Sequence, residues 1–291
     1  MEAVVLGGAG NVGRLFATLL HAEGLRLTGI DVQPDFASPY DTFIECDVTS
    51  LNNDSKAAIS TAGCVVVCLP ESVVLQVLPS IAALMPAAAL WVDTAPVKHD
   101  LCSALARLLV SEVVSINPLF GPDLGFAGQN VAAVTVTDGP KAQWFLESMR
   151  SAGANVVLLT ADAHDYMTAS VQVATHAVLI CFGMVLKTLA PSVLSLEFST
   201  PPYRMLLSLL HRISSAPPHV YWSLQRTHPH AAQVRALFAE ISRLFQQLVD
   251  ANDEEGFARQ LQSVESYLTK VSPDLEAIAE IGLGGSRRMK P

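Results

Sequence analysis

Short apolar runs alternate with segments of helical periodicity along the first 160 residues of the chain. The runs predict buried strands at residues 3–6, 25–30, 64–69, 90–92, 113–116, 131–136 and 156–159. Apolar residues spaced three and four apart predict helices at residues 14–22, 73–84, 99–108 and 140–152, with another helix ending at residues 59–62. Strands that alternate with helices predict an α/β fold with a mostly parallel, doubly wound sheet.

The pattern changes near residue 160, after which only helical periodicity remains. Helices are predicted at residues 162–189, 203–214, 218–227, 229–251 and 253–269. A Gly-Gly pair and an Arg-Arg pair in residues 282–291 favour a disordered tail. We therefore predict an α/β domain at residues 1–160, an all-helical domain at residues 161–281 and a tail at residues 282–291.

A glycine-rich turn links the first predicted strand to the first helix. The segment Gly8-Ala9-Gly10-Asn11-Val12-Gly13 has glycines spaced for a tight turn, close approach by a pyrophosphate and close helix packing. The amides at the helix start, including those of Asn11 and Val12, are expected to bind the pyrophosphate. Asp31 ends the next strand, where a carboxylate accepts hydrogen bonds from the adenosine ribose and repels a 2′-phosphate. The motif predicts a Rossmann domain with NAD rather than NADP as cofactor.

Other candidate binding residues follow from their positions. Leu69 and Pro70 end a later strand at the carboxyl edge of the sheet, where they are expected to pack against the cofactor ribose. Gln129 lies in the loop after residue 121 and is a weaker candidate for contact with nicotinamide or substrate. Arg204 starts an apolar helix, and a cation that faces a core there needs an anionic partner.

Composition limits the partners of this fold. The chain of 291 residues has 18 Lys and Arg against 27 Asp and Glu, a formal net charge of −9, which argues against nucleic acid. Its 51% hydrophobic content excludes a disordered chain, and no run reaches the ~18 uninterrupted apolar residues of a membrane span. Five scattered cysteines lack metal-ligand spacing, and His228 and His230 have no carboxylate or cysteine partner visible in the sequence, so no metal is predicted. Without a signal-like segment, we expect a cytoplasmic protein whose helical half forms an oligomer.

Several segments, in the expected order, resemble motifs of the prephenate dehydrogenase family, which includes arogenate and 4-amino-4-deoxyprephenate dehydrogenases. The match extends over about residues 3–270. Residues 7–16 are similar to the nucleotide loop, residues 92–98 to the motif D-x-x-S-V-K, and residues 117–123 to H-P-M-F-G-P-D. Further matches are residues 163–165, the helix that contains His176, and residues 199–204.

The resemblance implies an NAD-dependent oxidative decarboxylation. A hydride leaves C4 of a cyclohexadienyl ring, the ring carboxylate leaves as CO2, and the ring becomes aromatic. It also implies a helical second domain that forms a homodimer, and a small dianionic substrate bound between the domains. Arg204 matches the arginine that holds a substrate carboxylate, Tyr203 lies beside it, and Lys98 is a second candidate cation. Asp93, in the D-x-x-S-V-K match, is a candidate cofactor contact.

Two positions depart from the family pattern. The histidine of H-P-M-F-G-P, which is the base for the C4 hydroxyl in that family, is Asn117 here, and the serine of D-x-x-S-V-K is Pro96. An amide does not accept a proton at neutral pH, and proline has neither a hydroxyl nor an N–H. Because a positioned base contributes roughly 10²–10⁴-fold to a rate, ordinary prephenate oxidation is expected to be slow.

Three explanations are open from the sequence. In the first, the substrate is 4-amino-4-deoxyprephenate, from secondary metabolism, whose neutral amine expels hydride without a base while the Asn117 oxygen accepts an N–H. In the second, another group, such as His176, is the base for prephenate or arogenate in tyrosine biosynthesis. In the third, the chain is a weak or inactive relative that binds NAD in a regulatory or scaffolding role. His164, at the start of the helix that contains His176, is interpreted as mostly structural.

Overall fold

The computed structural model describes residues 1–34, 39–109, 111–189 and 199–271. The chain forms two compact units, residues 1–167 and residues 168–291. The helix that begins at Ala161 belongs mostly to the first unit, so this division falls after the predicted boundary at residue 160. The predicted tail at residues 282–291 lies outside the described residues.

The first unit contains one eight-stranded sheet in its described residues. The strands are β1 Glu2–Leu6, β2 Arg26–Asp31, β3 Thr42–Glu45, β4 Cys64–Val67, β5 Leu90–Asp93, β6 Glu112–Pro118, β7 Asn130–Thr137 and β8 Asn155–Leu158. Their order is β3-β2-β1-β4-β5-β6-β7-β8, and every neighbouring pair is parallel except β6 with β7. The predicted doubly wound α/β sheet is therefore confirmed. Its strand order reverses between β1 and β4, which is where open α/β sheets bind ligands.

Helices cover both faces of this sheet. They are α1 Asn11–Ala22, α2 Asn53–Thr61, α3 Glu71–Ala82, α4 His99–Leu108 and α5 Pro140–Ser151. Side chains alternate across β1, so that Ala3 and Val5 join one buried apolar cluster and Val4 and Leu6 join the other. The near-continuous apolar runs of the sequence are thus the strands of a sheet buried on both sides.

The edge strand β3 was not among the predicted strands. Its sequence Thr-Phe-Ile-Glu has only two apolar residues between polar ones, and both are half-buried. Among the described residues β3 is an edge strand that pairs with β2 alone, and its pattern is too short and too polar to be distinguished from a loop.

After β8, the chain contains helices and no strand in its described residues, as predicted. After α6 Ala161–Thr168 come a π-helical segment Ala169–Ala174, α7 Thr175–Leu189, α8 Pro201–Ser214, α9 Pro218–Thr227, α10 Ala231–Asp250 and α11 Glu254–Val271. The predicted helix at residues 162–189 is therefore interrupted by a π-helical turn. Its widened backbone is held by two side chains, since Thr175 Oγ1 donates to the Ser170 carbonyl at 3.1 Å and Gln225 Nε2 to the Val173 carbonyl at 2.8 Å.

Apolar side chains are exposed along several of these helices. The helical segment Ala161–Leu189 has a mean hydropathy of 1.8 in its most apolar window, of which 17% is buried, and by length and composition alone it is long and apolar enough to cross a membrane. Exposed apolar residues also line α10 and α11; they include Leu237, Ile241, Phe245, Val249, Leu261, Val264 and Tyr267. A single helix of this kind is weak evidence for a membrane span, and its exposed surface equally suits a protein interface.

Candidate active site

The glycine turn lies at the carboxyl end of β1, beside the strand-order reversal. Gly7 has a φ of +78°, and a Cβ there would overlap the carbonyl oxygen of Cys68, just after β4. A Cβ at Gly13 would overlap the carbonyl oxygen of Gly7, so α1 packs against the turn as closely as only glycine permits. The first bond within α1 is donated by Arg14, at 2.9 Å from the Gly10 carbonyl, and the earlier amides point out of the helix start. This cradle fits the pyrophosphate of a dinucleotide.

Asp31 lies beside the glycine turn. Its carboxylate accepts hydrogen bonds from the amides of Ala9 at 3.1 Å and Gln33 at 3.0 Å. Leu69 reaches the Gly7 side of the same crevice, and Pro70 is the residue before α3. The predicted cofactor residues of the first two strands and of β4 therefore meet at one edge of the sheet.

A buried charged group lies at the neighbouring carboxyl ends of β5 and β6. Asp93, Lys98 and Ser115 are each 0% exposed. Lys98 Nζ donates to the carbonyl oxygens of Ala95 at 2.7 Å and Ile116 at 2.6 Å and to Ser115 Oγ at 2.8 Å. Asp93 Oδ1 accepts from Ser115 Oγ at 2.8 Å and lies 3.6 Å from Lys98 Nζ. Burial lowers the pKa of Lys98, and the Asp93 carboxylate opposes that shift.

This geometry does not support two sequence-based expectations. The three ammonium protons of Lys98 have protein acceptors, so a substrate carboxylate would have to displace one of them. Asp93 is fully buried and is held by Ser115, Lys98 and the Ala95 amide. Both residues are better described as the internal ion pair that fixes the loop after β5. Pro96 lies half-buried in that loop.

A second buried chain of hydrogen bonds ends at Asn117, which lies near the carboxyl end of β6 and is 3% exposed. Its Nδ2 lies 3.1 Å from Nε2 of His164, and Nδ1 of His164 lies 2.7 Å from Oδ1 of Asp165. The Asp165 carboxylate also accepts from the backbone amides of Lys98 and His99, each at 2.9 Å, at the start of α4. The N-terminus of α4 thereby holds Asp165, which in turn holds the imidazole.

The ionisation of this pair follows from its surroundings. Burial lowers the pKa of His164, although the hydrogen bond to Asp165 opposes the shift. Burial alone would raise the pKa of Asp165, but hydrogen bonds from His164 and from the amides of His99 and Lys98 together lower it. The pair therefore consists of a neutral imidazole and a carboxylate at neutral pH.

The sequence did not indicate that His164 lies beside Asn117. The histidine is 0% exposed, which fits the structural interpretation, but its ring contacts Asn117 directly. The available signal was the adjacent pair His164-Asp165 in a segment that resembles the family. Gln129 is half-buried just before β7, at the same edge of the sheet, where its amide donates to the Phe126 carbonyl at 3.0 Å.

His176 lies in the second unit, directly after the π-helical segment. Its Nδ1 is buried and has no hydrogen-bond partner among the described residues, and its ring packs edge-on against Tyr221 with 4.9 Å between centroids. Burial lowers the pKa of His176, so the imidazole is neutral at neutral pH. A neutral imidazole with an unsatisfied nitrogen is suited to accept or donate one hydrogen bond to a ligand.

Arg204 is exposed in the first turn of α8. Its guanidinium donates to Ser199 Oγ at 3.4 Å, and no carboxylate of the described residues forms an ion pair with it. The neighbouring Tyr203 amide donates to Thr200 Oγ1 at 3.4 Å, which caps the helix. No cluster of three or more metal-ligating side chains occurs in the described parts of the chain.

Two family models match the two halves of the chain. Residues 16–136 match the nucleotide-binding domain of prephenate dehydrogenase, and residues 160–263 match the prephenate dehydrogenase dimerization domain. Together they cover strands β2 to β6 and most of β7, and they include Asn117, the His164–Asp165 pair, His176 and Arg204.

Individual relatives agree with this assignment. The chain is 36% identical over 280 residues to the 4-amino-4-deoxyprephenate dehydrogenase of Streptomyces pristinaespiralis, covering 95% of this chain and 94% of that protein. It is 25% identical over 272 residues to a probable arogenate/prephenate dehydrogenase of Methanocaldococcus jannaschii, covering 90% of this chain but 60% of that protein. The fold resembles that of Aquifex aeolicus prephenate dehydrogenase, solved with hydroxyphenyl propionate and NAD+, with a TM-score of 0.73 and 17% identity over 94% of this chain and 98% of the other.

The fold, the glycine cradle, Asp31 and the match to a dehydrogenase nucleotide-binding domain together define an NAD-dependent oxidoreductase, as predicted. The chain belongs to the prephenate dehydrogenase family.

Proposed function

We propose that this protein catalyses the NAD-dependent oxidative decarboxylation of 4-amino-4-deoxyprephenate. The hydride on ring C4 passes to NAD, the ring carboxylate leaves as CO2, and the remaining electron pairs make the ring aromatic, with the amine retained. The observation that carries the proposal is Asn117, an amide held by His164 where the family pattern has a base. The 36% identity to a 4-amino-4-deoxyprephenate dehydrogenase supports the same substrate.

The amine makes a base unnecessary. A neutral amine lone pair pushes electron density into the ring as hydride leaves, whereas a neutral hydroxyl does so poorly and benefits from deprotonation. The carbonyl oxygen of Asn117 can accept an N–H and so orient the lone pair towards the ring. A buried setting such as that of Asn117 also favours the neutral form of the amine, because burial penalises the ammonium ion.

The substrate carboxylate needs a cationic partner. Arg204 supplies one, because its planar guanidinium suits bidentate carboxylate binding and lacks a carboxylate partner within the described residues. Tyr203 and Gln129 are weaker candidates for substrate contact. Lys98 is not assigned to the substrate, since its ammonium is already held.

A second candidate substrate is prephenate or arogenate, with His176 as the base. The buried Nδ1 of His176, which has no hydrogen-bond partner among the described residues, and the neutral state of the ring favour this alternative. A role without catalysis is not favoured, because the relatives named above are dehydrogenases.

We propose a homodimer formed through the helical half. The match to a dimerization domain supports it, and so do the exposed apolar residues of Ala161–Leu189, α10 and α11, which a second copy would cover. Such burial would account for the 51% hydrophobic content without a membrane and would suit a cytoplasmic enzyme.

The substrate is tested by following NADH absorbance with purified protein, NAD, and 4-amino-4-deoxyprephenate, prephenate or arogenate. We expect kcat/KM for the amine-bearing ring to exceed that for prephenate by about 100-fold, the low end of what a missing base costs. The aminophenyl product and released CO2 are measured in the same reaction. Faster turnover of prephenate than of the amine would refute the proposed substrate, and NADH without CO2 would refute the decarboxylation.

Asp31 is expected to select NAD. Asp31→Asn removes the charge but keeps an oxygen for the Ala9 amide, so we expect the ratio of NADP to NAD kcat/KM to rise by about tenfold or more, since a charged hydrogen bond is worth roughly 1.5–3 kcal/mol. Asp41→Asn is the control, because that carboxylate accepts the Leu27 amide at the other end of β2. An unchanged ratio in Asp31→Asn would show that the ribose does not reach this carboxylate.

A further inference from the structure

We propose that His164 is a positioning residue that fixes the orientation of the Asn117 amide and so sets the preference for an amine over a hydroxyl at C4. This inference rests on the proposed function, in which Asn117 contacts the C4 substituent. It concerns the direction in which the Asn117 amide points, which is a property of this chain's own buried contacts.

The first step is the tautomer of His164. Asp165 is a carboxylate and accepts only, so the proton of the neutral imidazole lies on Nδ1, 2.7 Å from Oδ1 of Asp165. Nε2 then carries a lone pair and faces position 117. An amide oxygen facing that lone pair would be repelled, whereas an amide N–H is attracted. The Asn117 side chain therefore turns its Nδ2 to His164.

The second step is rigidity. The imidazole is fully buried, and Asp165 is held by the amides of Lys98 and His99 at the start of α4. Lys98 is held in turn by its ammonium contacts with the Ile116 carbonyl, one residue before Asn117. Neither the ring nor the carboxylate can rotate without losing these bonds. The preference for one amide orientation is consequently built into the fold around α4 and β6.

The third step is the chemical consequence. With Nδ2 turned to His164, the amide presents its carbonyl oxygen at the other end of the same plane, and that oxygen accepts an N–H from a C4 amine. The amine lone pair then stays available to the ring. The opposite orientation would present an N–H to the amine, which would hold the lone pair that must expel hydride. The orientation set by His164 thus separates a productive from an unproductive contact.

Two substitutions of His164 separate positioning from general stability. Asn at this position retains an N–H near Asp165 but is too short to reach Asn117, whereas Gln places an oxygen near the Nε2 position. We expect His164→Asn to lower kcat for the amine substrate on the order of tenfold, with KM little changed, and His164→Gln to retain most of kcat. Equal losses in the two variants, or a loss confined to KM, would overturn the proposal.

A double-mutant cycle tests whether His164 acts through Asn117. In an Asn117→Ala background we expect His164→Asn to have no further effect on kcat, and additive effects would overturn the inference. The cycle uses whichever substrate the wild type oxidises. A wild type that prefers prephenate therefore refutes the proposed substrate in the NADH assay, while the cycle still reports separately on the coupling.

A spectroscopic measurement covers the case in which the His164 variants fail to fold. In the NMR spectrum of protein labelled with ¹⁵N-histidine, Nδ1 of His164 is expected to be protonated and Nε2 unprotonated at neutral pH. The signals of His164 are assigned with the His164→Gln variant if it folds, and otherwise with Asn117→Asp. Asn117→Asp replaces the donor by an acceptor and leaves His164 intact, so we expect both ring nitrogens to become protonated. No change in the Nε2 signal in Asn117→Asp would overturn the contact.

Discussion

Lys98→Met is expected to destabilise the first unit by roughly 3–5 kcal/mol, because it leaves the buried Asp93 carboxylate without its cation. The carbonyl oxygens of Ala95 and Ile116 lose their donor at the same time. For a unit of residues 1–167, this corresponds to a fall of about 6–20 °C in the Tm of the transition. Differential scanning calorimetry with NAD absent measures it.

The control for this prediction is Lys56→Met, which removes an exposed lysine from α2 and should change Tm by little. Adding Asp93→Asn to Lys98→Met removes the uncompensated charge, so we expect part of the lost stability to return. If Lys98→Met instead keeps the wild-type Tm and raises KM for the substrate, then Lys98 reaches the substrate carboxylate, and the internal role derived from the structure is wrong.

The buried contacts of Lys98 differ from the substrate-binding role that the sequence suggested for it. Cations are scarce in this chain, with 18 Lys and Arg against 27 Asp and Glu, and a lysine in a family motif therefore resembled a ligand for an anion. Two of its hydrogen-bond partners, Ser115 and Ile116, belong to β6 and lie 17 and 18 residues further along the chain. No local pattern encodes that meeting, because it depends on the register of β5 against β6.

The parts that were predicted have strong local signals. The glycine turn and Asp31 are specified by spacing and by the ends of β1 and β2, and α4 and α9 have the predicted bounds of residues 99–108 and 218–227. The edge strand β3 and the π-helical turn have weak signals, because one is short and polar and the other keeps a helical pattern of apolar residues.

The contact between Asn117 and His164 belongs to neither group. The two residues are 47 positions apart, and a buried histidine at a helix start is more often structural than functional. The role inferred for His164 depends on the identity of the residue that it contacts. Asn117 occupies the position at which the family motif has a base. The fixed lone pair on Nε2 of His164 therefore sets the orientation of the Asn117 amide.

Asn117→His is expected to reverse the substrate preference. A histidine at position 117 can donate one ring N–H to Nε2 of His164, which lies 3.1 Å from the present Nδ2, and keep its other nitrogen as a base for a C4 hydroxyl. Restoring a base contributes roughly 10²–10⁴-fold to a rate, so we expect kcat/KM for prephenate to rise by about 100-fold and that for the amine substrate to fall. Both values are measured by NADH formation at neutral pH.

Two variants decide whether the base itself causes this reversal. Asn117→Gln keeps an amide without a base, so prephenate oxidation should stay as slow as in the wild type. Asn130→His adds an exposed histidine at the start of β7, at the same edge of the sheet, and should leave the substrate ratio unchanged. If Asn130→His changed the ratio of kcat/KM for the two substrates as much as Asn117→His does, then a histidine anywhere at this edge would suffice, and the effect would not depend on position 117. An unchanged ratio in Asn117→His would mean that residue 117 does not contact the reacting C4 substituent, since a base within reach of a hydroxyl cannot leave its oxidation unaffected.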